Sequence, residues 1–131
     1  MIVGIGHDIT DMSRMQTILA GSTAGKFLQR ILTEQELKLA ESYEGKRKVQ
    51  FASGRFAAKE AVVKAFGCGI GSIIGFGDIH ILRSESGKPE CILSDAAWQR
   101  LGLTAAGVRV HITITHDREL ASAVAIVEQL A

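Results

Sequence analysis

The spacing of apolar side chains divides the chain into an early helical part and a late strand-rich part. Isoleucine and valine are interspersed with glycine and polar residues over 2–9, which predicts a first strand. Three helical patterns follow, and a fourth, strongly apolar one covers about 48–66. Later segments change to the two-residue period of strands, at 78–83, 90–94, 108–115 and 120–130. We therefore expect an α+β fold in a single domain, residues 1–131, whose helices pack on a mainly antiparallel sheet.

Turn and capping residues mark several element boundaries. Thr33 and Glu36 have the spacing of a capping box, which predicts the start of the third helix, and Gly45 is expected to end it. The segment SESGKP predicts a hairpin turn between two short strands. GSTAGK at 21–26 lacks both the spacing and the hydroxyl residue of a phosphate-binding loop, so we interpret it as a helix break.

Composition and charge restrict the class of partner. The 131 residues are 47% hydrophobic and carry a formal charge of +1, which excludes disorder and argues against wholesale nucleic-acid or membrane binding. Aromatic residues make up only 5% of the chain, too few for base-stacking platforms. Cys68 and Cys91 form no metal-type CxxC motif, and no signal peptide or membrane span is recognisable. We expect reduced thiols and a cytoplasmic protein.

The stretch FAAKEAVVKAFG, residues 56–67, places charged residues in an otherwise apolar helix. Glu60 and Lys64 lie on the same side of this helix, whereas Arg55 and Lys59 lie on another. An exposed Glu–Lys pair at this spacing contributes only about 0.2–0.5 kcal/mol and needs no function. On a mostly buried helix, however, such a pair is costly without further partners. A divalent cation on Glu60 and a phosphate on Lys64 would supply them, and we favour that interpretation.

Asp8 is a second candidate, in the strand segment GIGHDIT. Strand alternation places Gly4, Gly6 and Asp8 on one face, and two glycines beside a carboxylate would leave room for a ligand. The alternative is that Asp8 caps the helix that begins near Asp11, since aspartate is a favoured N-cap residue. The pattern by itself leaves both interpretations open.

Glycines and histidines mark further candidate segments. Five glycines follow the fourth helix in GCGIGSIIGFG, where backbone N–H groups could contact phosphate oxygens. A helix stop followed by a flexible turn is the simpler interpretation of these glycines. His116 ends an alternating strand, at a turn of the kind where binding groups gather, whereas His80 and His111 are expected to be ordinary half-exposed residues.

Together these segments resemble a known family. GIGHDIT, followed by GRFAAKEAVVKAFG, the glycine loop and TITHD, is similar to the holo-acyl-carrier-protein synthases, the small bacterial 4′-phosphopantetheinyl transferases. The resemblance runs from end to end and includes KRK before the fourth helix and GKP in the hairpin. It implies Mg²⁺-dependent transfer of the phosphopantetheine arm of coenzyme A to a serine of acyl carrier protein, with 3′,5′-ADP as product. It also implies a homotrimer with active sites at the subunit interfaces.

The resemblance assigns roles to individual positions. Asp8 and Glu60 are expected to bind the metal ion and, with Lys64 on the diphosphate, to form the catalytic group. The positions expected to hold the rest of the nucleotide, together with Lys64, are Arg47, Arg55, Gly67, Gly69 and His116. The positions expected to contact the carrier protein lie on the first helix and are Arg14, Met15 and Ile18.

Several residues depart from the pattern of that family. His7 stands where a small or apolar residue is expected, and Cys68 replaces a threonine in the glycine loop. Gly21 and Ala24 stand where further basic residues are expected, which lowers the charge available for docking an acidic partner. A rival hypothesis from another class is a non-catalytic module that binds a nucleotide or an anionic partner, which would need no paired carboxylates.

Overall fold

Two antiparallel sheets provide the strands of the fold, and the computed structural model describes all of residues 1–131. The strands are β1 (Ile2–Asp11), β2 (Ile79–Arg83), β3 (Pro89–Leu93), β4 (Val108–His116) and β5 (Leu120–Gln129). The larger sheet has the order β1–β5–β4, and β2 and β3 form a separate hairpin. The expected α+β fold with antiparallel strands is confirmed.

Five α-helices and two short 3-10 helices, Phe76–Asp78 and Ala105–Gly107, pack with these strands. None of the helices is long and apolar enough to cross a bilayer. The α-helices are α1 (Met12–Ala20), α2 (Ala24–Ile31), α3 (Glu34–Glu41), α4 (Gly45–Ala65) and α5 (Asp95–Leu101). The capping box of Thr33 and Glu36 is present at the start of α3. Gly45, however, does not end α3 as expected; it begins α4, with a left-handed φ of +56° that glycine adopts without strain.

Helix α4 lies against the inner face of the larger sheet and is the central element of the fold. Gly4 and Gly6 of β1 contact its backbone so closely that a side chain at either position would overlap a carbonyl oxygen, that of Ala65 or of Ala61. The main hydrophobic core consists of 17 buried residues from α4, both sheets, α5 and the loop before β2. A second cluster of 8 buried residues joins the first half of α4 to α1, α2 and α3.

A fully buried ion pair connects α4 to the elements around this second cluster. Lys59 Nζ lies 2.6 Å from Glu36 Oε1 and also donates to the carbonyl oxygens of Ile31 and Phe76. Glu36 Oε2 accepts a hydrogen bond of 2.9 Å from the N–H of Ile81. Each polar atom of the pair therefore has a partner, which is the condition for burying two charges. These contacts connect α4 to α2, α3 and β2.

The outer face of the larger sheet is uncovered, and along β1 it exposes apolar side chains. Ile5 and Ile9 of β1 are 66% and 55% exposed. His7 lies between them and its Nε2 is 2.9 Å from Ser122 Oγ on β5. His7 therefore lies on the face opposite Asp8, as strand alternation predicts.

Candidate active site

Asp8 and Lys64, 56 positions apart in the chain, meet where β1 passes α4. Lys64 Nζ lies 3.0 Å from Asp8 Oδ1 and also donates to the carbonyl oxygen of His7 at 3.2 Å. Asp8 Oδ2 accepts a longer hydrogen bond, 3.4 Å, from Thr10 Oγ1. Glu60 precedes Lys64 by one helical turn and lies close enough to both charges for them to shift its pKa. The three charged residues form one cluster.

This geometry excludes the structural alternatives considered for Asp8 and for the Glu60–Lys64 pair. Asp11, and not Asp8, caps α1, because the Asp11 carboxylate accepts a 2.9 Å hydrogen bond from the N–H of Ser13. Lys64 forms its ion pair with Asp8 on another element, and not with Glu60 along the helix. Neither carboxylate of the cluster is therefore explained as a helix cap or as an intrahelical ion pair.

The two carboxylates of the cluster carry more negative charge than Lys64 neutralises. Burial raises the pKa of Glu60, the Asp8 charge raises it further, and Lys64 partly opposes both effects. Two carboxylates suit Mg²⁺, which takes one or two from the protein and completes its octahedron with phosphate oxygens and water. No third carboxylate, histidine or cysteine joins them. The donor set therefore fits a magnesium ion shared with a substrate better than a closed structural metal site.

The glycines of β1 serve packing and not ligand access. We expected Gly4 and Gly6 to leave room for a ligand beside Asp8. This expectation is wrong, because the backbone of α4 at Ala61 and Ala65 occupies that space. The contact brings β1 and α4 together, and this is what places Asp8 beside the end of α4.

The glycine loop after α4 begins as a helix stop. Gly67 has a φ of +80°, and the N–H groups of Gly67 and Cys68 close the last turn in a Schellman motif. Cys68 packs, partly buried, against the main core, and burial raises the pKa of its thiol. Gly69 has open space beside it. The simpler interpretation is correct for Gly67, whose N–H is already paired with the carbonyl oxygen of Lys64, while a phosphate contact at Gly69 stays a prediction.

A second group of predicted residues lines a cavity of about 320 Å³, which we call the arginine cavity. Arg47, Arg55 and His116 meet there, where α4, the end of β4 and the β2–β3 hairpin come together. Arg55 is only 7% exposed, its guanidinium lies 4.4 Å over the Phe51 ring, and its Nε has no hydrogen-bond partner. Burial lowers the pKa of Arg55. A buried, incompletely paired guanidinium is suited to an anionic ligand.

The acidic cluster and the arginine cavity are separate in a single chain. None of Asp8, Glu60 and Lys64 lines the arginine cavity. Along α4, Arg55 and Lys64 are separated by about 13 Å of helix rise. The residues predicted for one site are therefore brought together as two groups and not as one.

The other histidines have ordinary structural roles. His80 Nδ1 lies 2.8 Å from Thr33 Oγ1, and His111 Nε2 lies 3.0 Å from Glu128 Oε1. Both rings are half-buried, as expected, and neither lines the arginine cavity.

Comparison with known proteins identifies the family. A sequence model described as the 4′-phosphopantetheinyl transferase superfamily matches residues 4–124. The chain belongs to this superfamily. A holo-[acyl-carrier-protein] synthase of Geobacillus sp. (strain WCH70) is 40% identical over 131 residues, covering 100% of both proteins. One from Listeria monocytogenes serotype 4a (strain HCC23) is 41% identical over 128 residues, covering 98% of this chain and 99% of that protein.

Solved structures in the superfamily have the same fold. A holo-(acyl-carrier-protein) synthase from Bacillus anthracis str. Ames, in complex with CoA (3′,5′-ADP), is 40% identical with a TM-score of 0.83 and 98% coverage of each chain. The Helicobacter pylori holo-[acyl-carrier-protein] synthase in complex with coenzyme A is 31% identical with a TM-score of 0.81. It covers 95% of this chain and 99% of its own. The family resemblance inferred from the motifs is confirmed.

The surface of α1 expected to contact a carrier protein in this superfamily is only partly available. Arg14 is exposed and Ile18 is half-buried. Met15 is 3% exposed and packs in the second hydrophobic cluster. We therefore correct the expectation for Met15: its side chain is part of the core and is not free to contact a partner.

Sequence patterns do not reveal two features of this superfamily member. Arg83, at the end of β2, lines the arginine cavity. In the sequence, the only indication that this hairpin matters is its GKP segment, which resembles that of the family. The pairing of Lys59 with Glu36 is also hidden, because the partners are 23 positions apart and belong to different helices. The only local signal is an apolar helix face that contains a lysine.

Proposed function

We propose that the chain is a Mg²⁺-dependent enzyme that transfers the 4′-phosphopantetheine group of coenzyme A to a serine hydroxyl of acyl carrier protein. The products are holo-acyl carrier protein, for fatty acid synthesis, and adenosine 3′,5′-bisphosphate. The observation that carries the proposal is the convergence of Asp8, Glu60 and Lys64 in one cluster. Relatives named holo-[acyl-carrier-protein] synthase and related structures with bound coenzyme A support the acceptor and the donor.

The reaction is an in-line displacement at phosphorus. The serine oxygen forms a bond to the phosphorus that carries the pantetheine group, and the serine proton passes to a carboxylate or to a water molecule activated by one. The bond from that phosphorus to the bridging oxygen of the diphosphate breaks, and its electron pair leaves with the adenosine bisphosphate. Negative charge increases on the phosphoryl and leaving oxygens, so catalysis requires positive charge placed beside them.

Lys64 is positioned to supply part of that charge. Its side chain is 51% exposed, against 16% for Asp8. The ammonium group can therefore turn from Asp8 towards a phosphate oxygen without leaving the cluster. An ammonium with three rotatable donors is suited to phosphate oxygens whose positions change during the reaction.

Asp8 and Glu60 would hold the metal ion. When bound, Mg²⁺ supplies Lewis-acid stabilisation of the charge on the diphosphate. The two ligands belong to β1 and α4, which are fixed to each other by the close contact of Gly6 with Ala61. Both carboxylates are thus positioned by rigid elements before the substrate arrives.

The remaining predicted residues would hold the nucleotide part of coenzyme A. Arg47, Arg55 and His116 line one cavity, and Arg55 has a buried Nε without a partner. Guanidinium groups form strong charge-assisted hydrogen bonds with phosphate. Gly69, in the loop after α4, would contribute a backbone contact to the diphosphate. Gly67 would position this loop, since its own N–H already donates to the carbonyl oxygen of Lys64.

A homotrimer would combine the acidic cluster and the arginine cavity in one site. In this arrangement one subunit supplies Asp8, Glu60 and Lys64, and its neighbour supplies the arginine cavity. The uncovered sheet face exposes Ile5 and Ile9, two apolar side chains that subunit packing would bury. The family resemblance gives the number of subunits.

Acyl carrier protein would dock on the exposed side of α1. This helix follows directly on β1, the strand that carries Asp8, and Arg14 lies in its first turn. A partner bound there can present its serine to the acidic cluster. Both proposed substrates would be met in the cytoplasm.

The decisive experiment measures the mass of apo-acyl carrier protein after incubation with coenzyme A, with and without Mg²⁺. We expect the carrier to gain one phosphopantetheine group only when the metal is present. Glu60→Gln and Asp8→Asn keep the size of each side chain but remove its charge, and we expect each to lower the rate at least about a hundredfold. Glu85→Gln, an exposed carboxylate in the hairpin turn, is the matched control and should leave the rate unchanged.

Two outcomes would contradict the proposal at different points. If the wild-type chain adds no mass to the carrier, the proposed activity is wrong. If transfer occurs but both carboxylate variants retain near-normal rates and the same need for Mg²⁺, the metal site has been assigned to the wrong residues.

A further inference from the structure

Arg100 of α5 attaches the far end of the glycine loop, residues 67–77, to the body of the fold. Its Nε donates a hydrogen bond of 2.8 Å to the carbonyl oxygen of Ile73, and its Nη2 lies 2.8 Å from Asp78 Oδ2. The same carboxylate oxygen accepts a 2.8 Å hydrogen bond from the N–H of Gly75. One guanidinium group therefore holds the backbone of the loop both directly and through a carboxylate.

The second oxygen of Asp78 connects this group to the start of α5. Asp78 Oδ1 accepts a hydrogen bond of 2.7 Å from Ser94 Oγ, which also caps α5 by accepting from the N–H of Ala97. Burial alone would raise the pKa of Asp78, but the hydrogen bonds from Gly75 and Ser94 and the charge of Arg100 outweigh it and lower that pKa. The carboxylate is thus ionised at neutral pH and is a strong acceptor at the centre of the network.

The segment that Arg100 holds continues to Gly69 through two isoleucines. Ile74 is fully buried in the main core and forms a bridge with Ile70, the residue directly after Gly69. The N–H of Gly71 closes the turn between them with a 3.0 Å hydrogen bond to the carbonyl oxygen of Ile74. The position of Gly69 is therefore set from two sides, by the end of α4 and by the segment fixed to α5.

Two backbone donors in this part of the loop are free. The N–H groups of Gly69 and Ile70 donate to no acceptor in the chain, and Gly69 has open space beside it. Both follow the end of α4 that carries Lys64. Successive free N–H groups suit an anion, and they bind it best when the loop is already ordered, because ordering a mobile loop costs conformational entropy on binding.

We propose that Arg100 is a positioning residue for the donor, which holds the glycine loop so that the N–H groups of Gly69 and Ile70 meet the diphosphate of coenzyme A. The inference rests on the proposed function and extends it to α5, which supplies no residue to the acidic cluster or to the arginine cavity. Arg100 acts through the loop and not by contact with the substrate. Its ion pair with Asp78 is partly exposed, so its loss should change global stability little.

The test compares steady-state transfer by the wild-type chain, Arg100→Ala and Arg100→Lys. We expect Arg100→Ala to raise KM for coenzyme A about three- to tenfold and to leave kcat within about twofold, because the loop binds the diphosphate equally in the ground state and the transition state. KM for acyl carrier protein should not change. Arg100→Lys keeps the charge but lacks the two fixed donors of a guanidinium, so it should recover only part of the effect.

Two measurements that need no transfer follow the loop and the donor separately. Hydrogen exchange at the N–H of Gly75 should become at least about tenfold faster in Arg100→Ala, while exchange at the N–H of Trp98 within α5 stays the same. Calorimetric binding of coenzyme A should weaken by a factor similar to that for KM. Gln99→Ala, an exposed neighbour of Arg100 that takes part in none of these bonds, is the matched control and should behave as wild type.

The possible results distinguish this inference from the proposed function. An unchanged KM for coenzyme A in Arg100→Ala overturns the inference, whether or not exchange at Gly75 becomes faster. An equal rise of KM for coenzyme A and for acyl carrier protein overturns it as well, because Arg100 would then serve general stability. If the wild-type chain adds no mass to the carrier, the proposed function is wrong, and calorimetry still decides whether Arg100 positions the loop for coenzyme A.

Discussion

At the scale of single residues, Glu60 shows how a functional charge opposes stability. Burial and the neighbouring Asp8 raise its pKa, so the folded chain binds a proton at Glu60 more tightly than the unfolded chain does. At neutral pH the ionised carboxylate therefore lowers the free energy of unfolding. This loss of stability diminishes as the pH falls through the raised pKa of Glu60, because the folded chain then carries Glu60 in its protonated form. Such unfavourable charge is expected where a cation binds.

Glu60→Gln should therefore raise the melting temperature of the metal-free chain, by about one to three degrees. Thermal unfolding followed by circular dichroism at pH 7.5 measures this. Added Mg²⁺ should raise the melting temperature of the wild-type chain, since the ion binds only the folded state. It should leave the melting temperature of Glu60→Gln unchanged. A variant that melts below the metal-free wild type would show that Lys64 fully compensates the Glu60 charge, contrary to this expectation.

At the scale of elements, the contact between β1 and α4 creates the acidic cluster. The strand can approach the helix backbone only because Gly4 and Gly6 have no side chains and the facing helix residues, Ala61 and Ala65, are small. The same contact sets the distance between Asp8 on the strand and Glu60 on the helix. Packing and catalysis therefore depend on the same two elements.

Gly6→Ala is expected to destabilise the chain by about 3 kcal/mol, since the new methyl group would meet backbone that cannot move without displacing α4. Chemical denaturation measures the change, and transfer activity should fall with it because Asp8 and Glu60 separate. Gly25→Ala is the control, at a helical position in α2 with open space around it. It should stabilise the chain by up to about 1 kcal/mol. Equal stabilities for the two variants would show that β1 can move away from α4 without loss.

Local patterns predict the elements of this fold better than the contacts between them. Strand alternation correctly places Asp8 and His7 on opposite faces, and the Thr33 capping box begins α3 as predicted. Gly45 is misassigned because a glycine with positive φ can precede a helix as well as end one. The prediction of ligand space beside Gly4 and Gly6 is also wrong, because a sequence pattern does not indicate whether a ligand or a helix occupies that space.

At the scale of the whole molecule, the sequence leaves the assembly of the site undetermined. The meeting of Asp8 with Glu60 follows from the family resemblance and not from spacing, since the two are far apart in the chain. That Arg47 and His116 share a cavity well separated from these carboxylates emerges only when α4 and β4 are placed together. No local sequence pattern indicates that the acidic cluster and the arginine cavity lie in different parts of the folded chain.

This separation makes the proposed homotrimer testable by combining two inactive chains. Glu60→Gln damages the acidic cluster, and the double variant Arg47→Ala/His116→Ala damages the arginine cavity, so each is expected to be poorly active alone. When the two variants are co-expressed, they form mixed trimers. A site in such a trimer is intact when the double variant supplies the acidic cluster and the Glu60→Gln chain supplies the arginine cavity. Random assembly at equal amounts should restore roughly a quarter of the wild-type activity. Activity in the co-expressed sample no higher than that of the better single preparation would mean that each site is built within one chain.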